Sequence, residues 1–268
     1  MTLAQQFAAY SEWRTQLSQG IEAFRKYLSE NELSDAQTEL RIGQLLEKLR
    51  EDRLHVAFVA EFSRGKSELI NAIFFAEYGN RMLPSTAGRT TMCPTELMYD
   101  PEQPPSVQLL PIETREANAS ISEYKRFPDE WKIVPLDTES AESIQDALRS
   151  VSEISRVPPE LAEKFGFACG DNESSVIRLA EDGMVEIPRW RHAIINFPHP
   201  LLMQGLVVLD TPGLNAIGTE PELTLSLLPK AHAVIFILAA DTGVTQSDLA
   251  VWNEHIGAPS GRKKGRIV

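Results

Sequence analysis

Three groups of residues in this sequence have the types and order needed to hold a phosphorylated ligand and a metal ion. The first is Ala60-Glu61-Phe62-Ser63-Arg64-Gly65-Lys66-Ser67. It lies between an apolar run, LHVAFVA, and a helix-patterned segment, SELINAIFF. A strand before and a helix after is the context a phosphate-binding loop requires. A loop that opens a helix aims backbone N–H groups at one point, and the helix dipole adds positive potential there. Glu61 to Arg64 would supply such groups, and Gly65 lets the backbone approach the phosphate. Lys66 would reach the β- and γ-phosphate oxygens, and the Ser67 hydroxyl would bind Mg²⁺. Ala60 stands where the usual motif has its first glycine. If that position needs a positive φ, alanine there costs roughly 1 kcal/mol.

The second group is Asp210-Thr211-Pro212-Gly213, directly after the apolar run LVVLD. This puts Asp210 at the carboxyl end of a strand, the edge of an open α/β sheet where ligands bind. Asp210 would hold Mg²⁺ through a water, and the Gly213 N–H would sense the γ-phosphate. DTPG alone is also an ordinary turn; its place after a strand and after an upstream GKS gives it meaning. The third group is LPSTAGRTTMCPTEL, residues 83–97. Thr91 is its best candidate for a hydroxyl on Mg²⁺ and a carbonyl on the attacking water, with Thr90 a close rival.

These residues need a sheet to position them. LHVAFVA, PTELMYD (94–100), HAIINF (192–197), GLVVLD (205–210) and AVIFILAA (233–240) read as strands. AVIFILAA has the continuous apolar character of a strand covered on both faces. Helical patterns follow the first strand, recur near 139–154, and return in ELTLSLLPKA. Strands alternating with helices predict an α/β sheet. Before it, Leu3, Phe7, Tyr10, Leu17, Ile21, Phe24 and Leu28 keep helical spacing over 3–29. Thr2 with Gln5 suits a capping box. Ser34 with Gln37 suits another, opening a helix to about Arg50 with Leu40, Leu45, Leu46 and Leu49 on its apolar face. The expected product is a helical hairpin over 1–53 whose stripe packs on the rest of the chain.

Composition sets outer limits. The 268 residues are 43% hydrophobic and 24% charged, with a net charge of −12. A chain this acidic is a poor general nucleic-acid binder, which needs a cationic face. The one dense basic cluster is Arg262, Lys263, Lys264 and Arg266. Two cysteines, Cys93 and Cys169, without metal-ligand spacing suit a reducing, cytoplasmic setting. The start MTLAQQFAAYSEW lacks the pattern of a signal peptide. No run of about 18 apolar residues occurs, so membrane contact, if any, is peripheral.

Together these residues resemble the dynamin superfamily, especially its bacterial members. AEFSRGKSELINAI is similar to that group's phosphate loop, and T-M-C-P at 91–94 to its T-x-x-P switch signature, which favours Thr91. VEIPRWRHAIINFPHPLL leading into the DTPG strand, and ILAADTGVTQSDLAVW after it, also match. The resemblance covers about 54–268, and the N-terminal hairpin fits helices that precede the GTPase domain in bacterial members. It implies a P-loop NTPase three-layer α/β/α sheet, a dynamin-type G domain, over 54–268. A long insertion at about 101–190 interrupts it. The family reads guanine with an Asn- or Thr-Lys-x-Asp motif on the strand after AVIFILAA, and no such motif stands upstream of GRIV (265–268). The expectation is therefore an incomplete domain, with the edge of AVIFILAA exposed, from a longer protein whose stalk and lipid-binding tip come later.

The activity implied is hydrolysis of GTP with Mg²⁺, by in-line attack of water and mainly through positioning and charge stabilisation. Lys66 and loop N–H groups would stabilise phosphate charge, Thr91 would orient the water, and Ser63 matches a position used for transition-state stabilisation. Leu214 and Asn215 follow Gly213, so no glutamine orients water there. In dynamins a homodimer formed across the nucleotide completes the site, and hydrolysis is coupled to membrane remodelling. Loop 241–248 is either part of that dimer face or a solvated loop. Two other readings stand: a nucleotide-gated assembly or scaffold module with little or no turnover, and an ATP-using P-loop protein.

Overall fold

The computed structural model of the chain describes residues 3–31, 33–50, 53–60, 64–79, 82–83, 93–117, 119–167, 182–211, 228, 231–240 and 243–253. The helix expected in ELTLSLLPKA falls mostly outside them, as do Thr2, Cys169 and the basic cluster at 262–266.

Two helices come first, α1 (Leu3–Glu30) and α2 (Ala36–Arg50). Arg25 Nε donates to Glu39 Oε2 at 2.8 Å and pins one to the other. Asp35, not Ser34, caps α2: its Oδ1 accepts from the Thr38 N–H at 2.6 Å, while the Ser34 hydroxyl donates to Glu39. The expected covering of the apolar stripe is met only in part: Ile21 and Leu28 of α1 and Leu49 of α2 are partly covered and Leu46 is buried. Tyr10, Leu17 and Phe24 are exposed, together with Trp13 and Tyr27, and so are Leu40 and Leu45 of α2. The face of α1 that is partly covered carries Ser11, Arg14, Ser18, Ile21, Arg25 and Leu28. On α2, among the described side chains, Ile42 and Leu46 are buried.

Among the described residues the sheet has seven strands. They are β1 (Leu54–Ala60), β2 (Thr95–Met98), β3 (Ser106–Pro111), β4 (Lys132–Pro135), β7 (Trp190–Asn196), β8 (Leu206–Asp210) and β9 (Ala233–Ile237). Their order is β4-β3-β7-β2-β8-β1-β9. β1 lies between β8 and β9, parallel to both, while β2 runs antiparallel to β8 and parallel to β7. β3 and β4 extend the sheet by antiparallel pairing. A separate antiparallel pair, β5 (Ile154–Val157) and β6 (Val185–Pro188), packs with α6 (Pro159–Lys164) around Phe165 and Phe167.

Alternation along β1 explains the layers. Phe58 faces one core, shared with Ile70 and Phe74 of α3 (Lys66–Phe74), Ile144 and Leu148 of α5 (Ala141–Arg149) and Leu202 of α7 (Pro200–Met203). Ala57 and Val59 face the other, with Val207, Leu209, Leu228 and Val234. Trp252, just past α8 (Gln246–Val251), packs there against Phe236. Leu110, Ile194, Trp131 and Ile121 of α4 (Ile121–Tyr124) continue that side.

One expectation about element extent changes and another is met in part. The helix read over 139–154 stops at Arg149 and Ile154 begins a strand, because the Ser150 carbonyl accepts from Trp190 Nε1 at 2.7 Å. β9 is covered on both faces but incompletely: Ile235 and Ile237 pack on one core and Val234 and Phe236 on the other, with Val234 alone of its five residues buried. Among the described residues it is the sheet's last strand, with one edge unpaired.

Candidate functional site

Parallel pairing places Phe58 of β1 beside Asp210, the last residue of β8, and antiparallel pairing places Thr95 of β2 on its other side. The carboxyl ends of β1 and β8 therefore meet the start of β2 at one sheet edge. Ala60 ends β1 in register with Ile237. That is extended backbone, which any residue adopts, so the expected strain at this alanine does not arise.

Gly65 caps α3 with φ 82° and ψ 17°, a left-handed conformation costly for any residue with a Cβ. Its carbonyl accepts the Leu69 N–H at 2.9 Å and closes the first turn. Lys66 and Ser67 follow, both buried. The Lys66 ammonium donates to the Asp210 carboxylate and to the Thr211 carbonyl. Thr211 is fully buried, and its hydroxyl donates to the Phe58 carbonyl at 2.8 Å. Lysine, serine and aspartate thus converge where sequence places a phosphate loop beside a strand end. Ser67 and Asp210 bring hard oxygen donors, the type Mg²⁺ takes together with phosphate oxygens and water. Both are buried, and Asp210 is paired with the Lys66 ammonium, as a buried charge requires.

Sequence reasoning missed two residues at this edge. Asn71, five positions after Lys66 on α3, is buried and grips the backbone of Leu83. Its Oδ1 accepts the Leu83 N–H at 2.8 Å and its Nδ2 donates to the Leu83 carbonyl at 3.1 Å. Leu83 opens the segment that carries Thr91. At the other end of that segment Cys93 is buried, and its carbonyl accepts from the Thr95 hydroxyl at 3.2 Å. The second is Thr211, read only as part of a turn. Glu61, Phe62, Ser63, Thr90, Thr91, Pro212 and Gly213 lie outside the described residues.

A second charged cluster sits on the opposite face of β2. Glu96 accepts from Lys125 Nζ at 2.7 and 2.8 Å and lies 3.1 Å from His192 Nε2. Burial alone would raise the Glu96 carboxyl. The hydrogen bond and charge of His192, and the charge and hydrogen bonds of Lys125, override it and hold the group far below the usual carboxylate range. This cluster ties β2 to β7 and α4 and takes no part in the edge around Lys66.

A mixed α/β sheet with a glycine-capped helix at a strand end is consistent with a P-loop-type fold preceded by N-terminal helices. The sequence model of the dynamin family matches residues 56–262, well over half of the chain, and the chain belongs to that family. A bacterial dynamin-like protein of Nostoc punctiforme (strain ATCC 29133 / PCC 73102) is 20% identical over 197 residues, covering 74% of this chain and 22% of its own length. A protein of Caldicellulosiruptor sp. (strain Rt8B.4), described as an uncharacterized protein in the xynA 3′ region, is 21% identical over 229 residues, covering 84% and 43%. The chain thus spans less than half the length of these curated relatives. One solved chain of an oligomerised bacterial dynamin pair, reported as a mechanism for long-range sensing and tethering of membranes, aligns over 93% of this chain and 36% of its own length. The identity there is 15% and the TM-score 0.46. Among the described residues no helix is long and apolar enough to cross a membrane.

Proposed function

We propose that this chain is the nucleotide-binding part of a dynamin-family protein, in which a magnesium-bound nucleoside triphosphate gates assembly with a second copy. The observation that carries it is the Lys66 ammonium held between Asp210 and Thr211 at the carboxyl ends of β1 and β8, directly after the left-handed Gly65. In this reading residues 1–53 are a helical hairpin and 54–268 the nucleotide-binding unit, with an insertion at 101–190. Lys66 takes the β- and γ-phosphates, and the backbone of Glu61 to Ser67 surrounds them. Ser67 and Asp210 hold Mg²⁺, which neutralises phosphate charge. Gly213 senses the γ-phosphate.

The second reading is a GTP hydrolase that couples turnover to membrane remodelling, with peripheral membrane contact. The order Ser63, Lys66, Thr91, Asp210 in the sequence favours it, with Thr91 on Mg²⁺ and on the attacking water and Ser63 on the transition state. It needs more than the described edge offers, because Ser63 and Thr91 lie outside the described residues. Titration of the full-length protein with Mg-GTP and with Mg-ATP separates the readings, with light scattering and phosphate release followed together. Growth in particle mass on GTP with negligible phosphate release supports gated assembly. Phosphate release per molecule that climbs with protein concentration supports the hydrolase. A clear ATP preference removes guanine from both.

A further inference from the structure

The buried face of α3 carries Lys66, Ser67, Ile70, Asn71 and Phe74. Ile70 and Phe74 press the helix onto the apolar core, and apolar burial has no preferred direction. Asn71 is different in kind. Its amide makes two hydrogen bonds to the backbone of a single residue, accepting the Leu83 N–H at 2.8 Å and donating to the Leu83 carbonyl at 3.1 Å. Such bonds weaken steeply as they bend, so the pair fixes the rotation of α3 about its own axis. Leu83 is a firm anchor, because its side chain and that of Met82 are buried in the same core.

Ser67 and Asn71 are four residues apart, so they stack on one side of the helix. A rotation that frees Asn71 therefore carries Ser67 with it. The Ser67 hydroxyl oxygen lies one bond beyond Cβ, roughly 4 Å from the helix axis, so a turn of about 20° displaces it by roughly 1.4 Å. Mg²⁺ holds its oxygen ligands close to about 2.1 Å, and a shift of that size removes one. Lys66 is affected less, because its flexible four-carbon stem takes up the shift and keeps the ammonium in place.

We propose that Asn71 is a positioning residue for the metal: its bonds to Leu83 set the helix rotation at which the Ser67 hydroxyl meets a cation shared with Asp210. The inference rests on the nucleotide-binding reading above. A residue that served stability alone would leave the metal requirement of the folded protein unchanged. Asn71, acting through Ser67, raises that requirement when it is lost.

The test uses the full-length protein and a fluorescent, non-hydrolysable GTP analogue, titrated with Mg²⁺ at fixed nucleotide and, separately, with nucleotide in EDTA. Melting curves select conditions in which each variant is folded. Asn71→Ala is expected to raise the half-saturating Mg²⁺ concentration by about tenfold to a hundredfold and to leave affinity in EDTA unchanged. Asn71→Ser takes its place if the alanine variant does not fold. Leu148→Ala, a core truncation beneath α5, controls for lost stability and is expected to change neither. Ser67→Ala is expected to raise the Mg²⁺ requirement as well, and adding Asn71→Ala to it should raise it no further, because both act through one oxygen. An unchanged Mg²⁺ requirement in the folded Asn71 variants overturns the proposal, and so does an additive effect in the double variant. A rise at Ser67→Ala with none at Asn71→Ala removes only the positioning role. A requirement unchanged by Ser67→Ala, or binding undiminished by Lys66→Ala, removes the nucleotide reading itself.

Discussion

Gly65 and Gly79 form a matched pair for testing what the left-handed turn before Lys66 does. Their φ angles are 82° and 65°, and a Cβ added at either meets no heavy atom within 4 Å. Alanine therefore clashes with nothing at either position, and its penalty is conformational. Left-handed backbone costs an L-residue roughly 1–2 kcal/mol, offset by about 0.4–1 kcal/mol from reduced freedom of the unfolded chain. The net loss of about 1 kcal/mol lowers the melting temperature of a chain this size by roughly 2–4 °C, equally for both variants. Their effects on ligand binding differ. Gly79 closes a short 3₁₀ turn beyond the far end of α3. Gly65 caps α3 at Lys66, and a shift toward negative φ turns the following N–H groups away from the phosphate. Loss of one charge-assisted hydrogen bond, at about 1.5–3 kcal/mol, weakens binding by roughly tenfold to a hundredfold or more. Differential scanning fluorimetry without ligand and titration with a fluorescent Mg²⁺-nucleotide measure the two effects. Equal melting shifts with equal nucleotide affinity in Gly65→Ala and Gly79→Ala would refute the reasoning.

Other expectations are simpler to state. Asn71→Ala strands the Leu83 N–H and carbonyl in a buried place and should cost about 2–3 kcal/mol in urea unfolding; a loss under 0.5 kcal/mol would mean the grip on Leu83 is dispensable. Glu96→Gln should cost about 1–3 kcal/mol at neutral pH. The folded Glu96 carboxyl lies below its ordinary value of 4.5, so its stabilisation is complete above that value and fades as pH falls. The gap between wild type and variant should therefore narrow in acid, and a gap that widens contradicts the assignment. Leu148→Ala, in the core beneath α5, should cost about 2–5 kcal/mol. Trp13→Ser on the exposed stripe of α1 should change the stability of the 268-residue chain by less than about 0.5 kcal/mol. A loss above about 1 kcal/mol there would show that Trp13 is covered.

The residues around Lys66 were legible because local rules agree there. LHVAFVA is apolar throughout, and Gly65-Lys66-Ser67 opens a helix. LVVLD ends in the acid that the sheet register sets beside Phe58. What stayed hidden depends on distant partners. Asn71 meets a backbone twelve residues on, and nothing in its neighbourhood announces that. The helix read through Ile154 ends early because Trp190, far along the chain, reaches the Ser150 carbonyl. β4, β5 and β6 have four residues each, too few for periodicity to separate them from loop. On α1 two stripes sit side by side. Ile21 and Leu28 of the more hydrophobic stripe are partly covered, yet Tyr10, Leu17 and Phe24 are exposed, and Ser11, Arg14, Ser18 and Arg25 share the covered face instead. β9 was read as a strand covered on both faces with an exposed edge, and its residues do pack on both cores at the end of the described sheet, though only Val234 is buried.

The claim that Lys66 anchors a nucleotide phosphate is tested most directly by calorimetric titration of full-length wild type and Lys66→Ala with Mg-GTP. The wild type should saturate, and the folded variant should give no saturable heat over the same range. Equal binding by the two proteins would contradict the account.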